Sequence, residues 1–168
     1  VSKLVPRVKT TALILYSIYF ALTLIEFIML LFGGMTVFEA LNTSFATAGT
    51  GGFGFYNSSM GSFSPYLQIV ITVFMILFAI NFNCYYLLLC GKLREAFNLE
   101  LRTFLIIIAS VITVITINIH GMFSSVGEAL RHSAFTVASL ISTTGFSTVD
   151  FNQWPELSRA LLVIIMFI

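Results

Sequence analysis

Two short segments of this chain carry residue types suited to holding a dehydrated cation. Both follow the pattern Thr, any residue, Gly, Phe and a small residue. Threonine adds a hydroxyl oxygen, and glycine permits backbone angles that turn carbonyl oxygens in directions closed to other residues. A cation that has lost its water shell needs such oxygens around it. The segments are Thr50-Gly51-Gly52-Phe53-Gly54 and Thr143-Thr144-Gly145-Phe146-Ser147.

The same pattern is close to the selectivity loop of potassium channels, Thr-Val-Gly-Tyr-Gly, whose backbone carbonyls replace the water shell of K⁺. The two segments therefore predict filter loops for K⁺ as the transported ion, without a bound cofactor. Phe53 and Phe146 are expected to pack behind these loops. The predicted coordinating carbonyls belong to Thr50, Gly51, Gly52, Thr143, Thr144 and Gly145. Unusual backbone angles are expected at Gly51, Gly52, Gly54 and Gly145.

Composition indicates that the solvent of this chain is a lipid bilayer. It is 58% hydrophobic and only 9% charged, with a net charge of +1, whereas soluble domains carry about 25% charged residues. The charge gives no indication of a nucleic-acid partner. No nucleophile–base arrangement, Walker loop or nucleotide fingerprint is present in the sequence, so an enzyme is not predicted. Cys84 and Cys90 are interpreted as packing residues of the membrane segments.

The apolar runs predict helices separated by Gly, Pro and polar residues. Residues 10–32, 66–89 and 102–119 are long enough, or nearly so, to span about 30 Å of hydrocarbon. Residues 36–47 form a shorter predicted helix that cannot cross, and residues 125–141 form its counterpart. Each precedes one motif. Pro65 and Pro155 are placed to begin the helices that follow the two loops.

The order of span, short helix, loop and span occurs twice. A helix that enters the bilayer without crossing leaves backbone at membrane depth, which is tolerated only inside protein or beside a water-filled cavity. The predicted fold class is therefore an all-α membrane protein with two parallel membrane–pore-helix–membrane repeats, re-entrant pore helices and extended filter loops. The repeats are assigned to residues 1–99 and 100–168. The second is truncated in its last helix, and the chain is interpreted as an internal fragment.

Matching residues support the internal repeat. Glu39-Ala40-Leu41 corresponds to Glu128-Ala129-Leu130 at the start of the short helices. The second copy is four residues longer between this Glu and the motif Gly, which is about one helical turn. One Gly-Phe loop alone would be compatible with an ordinary glycine-rich turn. Two loops with matched flanks favour a shared function.

Basic residues predict the orientation of the chain. By the positive-inside rule, the cluster before the first span and the cluster between the second and third spans face the cytoplasm. The motif loops then face outside. The clusters are Lys3, Arg7 and Lys9, and Lys92, Arg94 and Arg102.

Several polar residues leave two interpretations open. Glu26, inside the first span, could bind a cation or pair with a basic group elsewhere, or it could hydrogen-bond to backbone near Gly33 and Gly34. Asn81 and Asn83 could line a pore or bridge helices. A carboxylate such as Asp150 could attract cations or be an ordinary loop residue.

Arg131 lies near a predicted cation pore, where a positive charge is expected only if it is paired. Glu128 lies three residues earlier and is the expected partner.

Three segments together resemble the bacterial Trk/Ktr family of potassium transporters, closest to its TrkH branch. They are residues 45–54 (FATAGTGGFG), residues 81–88 (NFNCYYLL), and residues 131–155, which begin RHSAF and end TTGFSTVDFNQWP. The resemblance extends over nearly the whole chain. It implies the second and third of four repeats that surround one pore. Gly52 and Gly145 match the positions of the family's filter glycines.

The resemblance also implies partners and a location. These are the remaining repeats of a longer chain, a second copy in a homodimer, and a cytosolic nucleotide-binding regulatory subunit, in the bacterial plasma membrane with several crossings. The expected function is the pore-forming part of a potassium uptake transporter or channel. The alternatives are transport of another small cation, such as Na⁺ or ammonium, and a non-conducting membrane assembly subunit.

Overall fold

The computed structural model describes residues 4–167, with side chains from Lys9 onward, so Lys3, the side chain of Arg7 and Ile168 lie outside the described residues. This part of the chain is helical and contains no strand. Short 3₁₀ turns occupy His120–Met122 and Phe151–Gln153. The helices are α1 (Leu4–Phe32), α2 (Val37–Ala48), α3 (Pro65–Ala79), α4 (Phe82–Leu89), α5 (Leu93–Ala96), α6 (Leu99–Ile119), α7 (Val126–Ile141) and α8 (Glu156–Ile165).

Two segments are long and apolar enough to cross a bilayer, Lys9–Phe32 and Leu99–Met122. Large apolar side chains on both, including Phe20, Ile106 and Ile117, stay exposed, as expected where lipid is the solvent. The chain is therefore a membrane protein with an all-α fold. By contrast, α2 has 12 residues and α7 has 16. Helices of these lengths reach about 18 and 24 Å, short of the hydrocarbon thickness.

Residues 66–89, predicted as one span, form two helices, α3 and α4, which meet at a bend of 86° and together are long and apolar enough for one broken span. Ile80 adopts an extended conformation, and the side-chain oxygen of Asn81 accepts a hydrogen bond from the backbone N–H of Asn83 (3.0 Å). The Tyr85 hydroxyl donates to the carbonyl of Leu77 (2.7 Å), which lies in the last turn of α3 and also accepts from the Ile80 N–H (3.3 Å). A capping residue and a satisfied helix end thus allow the break.

Asn81 bridges two helices, which is one of the two roles considered for it from the sequence. Its side-chain N–H₂ donates to Oε1 of Glu100 in α6 (3.4 Å). The same region contains a cavity of about 670 Å³ between the broken helix pair and the start of α6.

Each short helix packs against several neighbours. Helix α2 lies against α1 and α3, and α7 lies against α3, α6 and α8. Leu30, Ile71 and Met75 are fully buried in the first core, and Ile115 and Val137 in the second. The first core also takes in residues from α7 and the loop after it, so the two halves share a packed boundary. The shared residues are Phe135, Ala138 and Phe146.

Candidate ion-binding site

Both short helices start with a serine or threonine cap and a glutamate three residues later. In α2, the backbone N–H of Glu39 donates to the Thr36 hydroxyl (3.3 Å), and Glu39 Oε2 accepts from the Thr36 N–H (2.9 Å). In α7, the N–H of Glu128 donates to the Ser125 hydroxyl (3.1 Å). The arrangement is reciprocal in α2, whereas in α7 Glu128 Oε2 accepts from the N–H of Ser124 (3.2 Å), and both satisfy free N–H groups at a helix start. The repeated Glu-Ala-Leu therefore marks where each short helix begins.

Glu39 has a second partner across the first loop. Its Oε1 accepts a hydrogen bond from the Tyr56 hydroxyl at 2.6 Å. This bond, followed by those from Thr36, lowers the pKa of the Glu39 carboxyl. The contact ties the end of the first loop to the start of α2.

The two short helices also end in the same way. The motif threonine donates its N–H to the carbonyl three residues earlier, and the next residue donates to the carbonyl five residues earlier. The first loop has Thr50 to Thr47 (3.2 Å) and Gly51 to Ala46 (2.8 Å), and the second has Thr143 to Leu140 (3.1 Å) and Thr144 to Ser139 (2.9 Å). The chain thus leaves both helices along equivalent paths.

Both motif loops have left-handed backbone, with positive φ, at the same two motif positions. Thr50 and Gly52 have φ of 51° and 64°, and Thr143 and Gly145 have φ of 59° and 85°. The residue between each pair is not left-handed. The matched positions of positive φ show that the two motif loops share one local backbone pattern.

The expectation of unusual backbone angles was correct for Gly52 and Gly145 and wrong for Gly51 and Gly54. Threonine occupies the other left-handed position in each loop. A β-branched residue is rarely found there, and such strain persists only where the surroundings hold it. Tertiary structure therefore imposes a conformation that the residue types disfavour.

The predicted coordinating carbonyls accept no hydrogen bond from the part of the chain that the structure describes. Among residues 4–167, no backbone or side-chain hydrogen bond is donated to any of these six oxygens. They are the oxygens of Thr50, Gly51, Gly52, Thr143, Thr144 and Gly145. Thr144 is buried, whereas Gly51, Thr143 and Gly145 are exposed in this chain.

The two loops touch at the motif glycine of the first. A Cβ added to Gly52 would lie 2.0 Å from the carbonyl oxygen of Thr144. No side chain fits between them. A Cβ added to Gly145, by contrast, meets no atom within 4 Å. One flank of the second loop is thus open in this chain.

Phe146 and Phe53 differ in their surroundings. Phe146 is buried in the core shared by the two halves, as predicted. Phe53 is 78% exposed, so its predicted packing behind the loop is wrong in this chain. Its ring lies beside Gly51, 3.1 Å from where a Cβ of that residue would be. No other described helix covers it.

Polar side chains of α7 and of its C-terminal cap brace the second loop. The Ser139 hydroxyl donates to the carbonyl of Phe146 (2.7 Å), and the hydroxyls of Ser142 and Thr144 are hydrogen-bonded to each other (2.8 Å). His132 Nδ1 contacts the Thr148 hydroxyl at 2.8 Å. Sequence reasoning missed the bracing roles of Ser139, Ser142 and His132. The available signal was a difference between the two copies. Counted from the motif glycine, the second copy has hydroxyl residues where the first has Ala46, Gly49 and Gly51.

Glu26 does not contact the backbone near Gly33 and Gly34, so that interpretation is wrong. The backbone N–H groups of Gly33 and Gly34 donate instead to carbonyls of α1. The Glu26 side chain is fully buried, and neither carboxyl oxygen has a hydrogen-bond partner among the described residues. The neighbouring Thr47 hydroxyl donates to Thr43 (2.9 Å).

The expected pairing of Arg131 is confirmed, since its Nη2 lies 3.9 Å from Oε1 of Glu128. Asp150 caps a 3₁₀ turn. Its Oδ1 accepts from the backbone N–H of Asn152 (3.1 Å) and from that residue's side chain (2.9 Å). These bonds lower the pKa of the Asp150 carboxyl. Its structural role is that of a loop cap.

Within the described residues, no group of three or more His, Cys, Asp or Glu side chains is placed to hold a metal ion.

Comparisons with known proteins agree on one family. A family model for TrkH, described as a cation transport protein, matches residues 2–168. The chain is 31% identical over 172 residues to the Trk system potassium uptake protein TrkH of Escherichia coli K12, covering 99% of this chain and 36% of that protein. It is 30% identical over 174 residues to TrkH of Vibrio parahaemolyticus, with the same shares. The chain thus spans about a third of the length of these relatives.

A solved structure gives the same match in three dimensions. It is the crystal structure of the potassium transporter TrkH from Vibrio parahaemolyticus, with a TM-score of 0.87 and 30% sequence identity. The match covers 95% of this chain and 36% of that one.

Proposed function

Because this chain belongs to the TrkH family of cation transport proteins, we propose that it forms part of the pore of a bacterial potassium uptake protein. The observation that carries the proposal is the pair of matched loops. Each has left-handed backbone at the motif threonine and glycine, and the six carbonyls predicted to coordinate K⁺ accept no hydrogen bond from the described residues. Such oxygens can replace the water shell of a cation.

The short helices add to the attraction for a cation. Each ends at its motif loop, at Ala48 and at Ile141. The C-terminal end of a helix carries about half a negative charge. Both helices therefore favour positive charge at the loops, which excludes anions as the transported species in this proposal.

The proposed organisation is two membrane–pore-helix–membrane repeats, residues 1–99 and 100–168, forming part of a pseudo-fourfold ring. In it, α2 and α7 are the re-entrant pore helices. The contact between Gly52 and the carbonyl of Thr144 supports neighbouring positions in such a ring. The open flank of Gly145 and the exposed ring of Phe53 support further loops on either side.

The proposed partners are the remaining repeats of the longer chain, a second copy in a homodimer, and a cytosolic nucleotide-binding regulatory subunit. The family resemblance of the filter segments supports all three. The proposed location is the bacterial plasma membrane. No nucleic-acid partner is proposed.

We expect both motif loops to face outside and residues 92–102 to face the cytoplasm, because basic residues cluster in the latter segment. Asn57 and Glu95 are both exposed and suit cysteine labelling once Cys84, Cys90 and any other cysteine have been replaced. A membrane-impermeant thiol reagent added outside intact cells should modify Asn57→Cys and not Glu95→Cys. Labelling of position 95 alone would reverse the orientation and remove the support for outward-facing loops.

K⁺ uptake by the full-length protein tests the proposed function directly. Expressed in cells that lack their own K⁺ uptake systems, it should restore growth at low external K⁺. A large excess of Na⁺ or ammonium should inhibit this uptake only weakly, since the loops supply carbonyl rings of the kind that favour K⁺. Equal uptake of Na⁺ or ammonium would support the alternative cation. A protein that reaches the membrane without moving any of the three ions would support a non-conducting subunit.

A further inference from the structure

The part of the first loop beyond its motif binds the second loop directly. The backbone N–H of Met60 donates to the carbonyl of Ser147 (2.9 Å), and the N–H of Ser147 donates to the Ser59 hydroxyl (3.1 Å). Both polar backbone groups of Ser147 are therefore held by the other half of the chain. We call residues 59–61 the clasp.

The clasp is itself firmly held. The buried side chain of Gln68 in α3 donates to the carbonyls of Met60 (3.0 Å) and Phe63 (3.2 Å). Met60 is 1% exposed. Gly61 approaches the second loop so closely that a Cβ there would lie 2.8 Å from the carbonyl oxygen of Thr148. The clasp thus transmits the position of α3 to the second loop through short backbone contacts.

Ser147 lies between two residues that α7 holds. Ser139 binds the carbonyl of Phe146, and His132 binds the Thr148 hydroxyl. The clasp is the contact that fixes this stretch relative to the first loop. Ser147 is two residues beyond Gly145, so a displacement at Ser147 is passed to the left-handed backbone that presents the filter carbonyls.

We propose that Ser59 is a positioning residue for ion selectivity, which sets the spacing between the two filter loops by holding the backbone of Ser147. The inference rests on the proposed function of the loops as a K⁺ filter. A cation site built from backbone carbonyls distinguishes ions by the number and arrangement of its oxygens. A change in the spacing of two loops alters that arrangement without removing any coordinating atom.

Ser59→Gly in the full-length protein separates positioning from simple stability. Ser59 has φ of 49°, a conformation that glycine adopts without strain. The substitution therefore deletes the hydroxyl while easing the backbone, and a purely structural role predicts little loss of folded protein. The matched control is Ser62→Gly, because the exposed Ser62 hydroxyl accepts from the Ser58 hydroxyl (3.2 Å) and has no other hydrogen bond among the described residues. Gly61→Ala provides a second, steric disruption of the clasp.

The measurement is inhibition of K⁺ uptake by Na⁺ at equal surface expression. Ser59→Gly and Gly61→Ala should make Na⁺ a better competitor by about two- to tenfold, the range expected for losing one hydrogen bond. Ser62→Gly should match the unmodified protein. Unchanged competition in both clasp variants, or a loss of surface protein alone, would overturn the role of the clasp.

Gly145→Ser, measured in parallel, distinguishes failure of the clasp proposal from failure of the filter proposal. If Gly145→Ser alters selectivity while the clasp variants do not, the filter stands and the clasp proposal is wrong. If neither the clasp variants nor Gly145→Ser nor Gly52→Ala changes selectivity, the filter proposal and the clasp proposal both fail.

Discussion

Gly52→Ala in the full-length protein should cause the largest loss of selective K⁺ uptake among single substitutions in these loops. The added Cβ would lie 2.0 Å from the carbonyl oxygen of Thr144. Backbone atoms stand on both sides, so no flexible side chain can move to make room. Alanine would also be strained at φ of 64°. A strain of about 1–3 kcal/mol corresponds to roughly 5- to 150-fold in binding.

The measurement is the K⁺ concentration for half-maximal uptake, with and without Na⁺, at equal expression. Gly54→Ala is the matched control in the same loop. Gly54 is not left-handed, and a Cβ there would make ordinary contact with Met60 at 4.0 Å. Uptake and selectivity in Gly52→Ala that equal those of Gly54→Ala would show that the first loop is not a filter.

Gly145→Ser extends the comparison to the second loop. In this chain its Cβ would meet nothing within 4 Å, so only the strain at φ of 85° opposes it. Thr143 already adopts φ of 59° nearby, which shows that this loop can hold a side chain in that region. A loss as large as that of Gly52→Ala therefore indicates a further loop packed against Gly145. Ser147→Ala should have a much smaller effect, since the contacts of Ser147 are made by its backbone.

The isolated chain, without the remaining repeats, should not transport K⁺. Its two loops contact each other on one side only, and the flank of Gly145 is open. Phe53 and the outer face of α2, with Phe38 and Phe45, are exposed. Half a ring would leave loop backbone facing lipid, where unpaired polar groups cost several kcal/mol each.

Flux measurements on the purified chain in liposomes test this expectation. The full-length protein in the same lipid serves as the positive control. K⁺ flux through a chain shown by cross-linking to be monomeric would contradict it. Flux that appears only with paired copies would show that two chains can close one ring.

Features set by local composition were predictable from the sequence. The apolar runs placed α1 and α6, and Gly33-Gly34 placed the end of the first span at Phe32. The repeated Glu-Ala-Leu located the starts of both short helices, because capping depends on residues within one turn. The Thr-x-Gly-Phe pattern identified the two loops whose backbone proved to be matched. Arg131 paired with Glu128 as its spacing suggested.

Features that depend on contacts between distant residues were not predictable. Apolar composition on both sides of Ile80 concealed the 86° bend, which depends on a cap at Asn81 and on Tyr85 reaching Leu77. Hydropathy also could not show that Glu26 is fully enclosed. The burial of a polar residue depends on what other helices bring against it.

The site divides in the same way. The sequence by itself determined which residues could form a filter loop, because threonine and glycine chemistry is local. Only the tertiary structure decided that Thr50 and Thr143, rather than Gly51 and Gly54, take the other left-handed positions. It also brought Gly52 against Thr144 and Ser59 against Ser147. The physical reason is that strained backbone is held in place by packing and hydrogen bonds from other elements, which no local sequence pattern specifies.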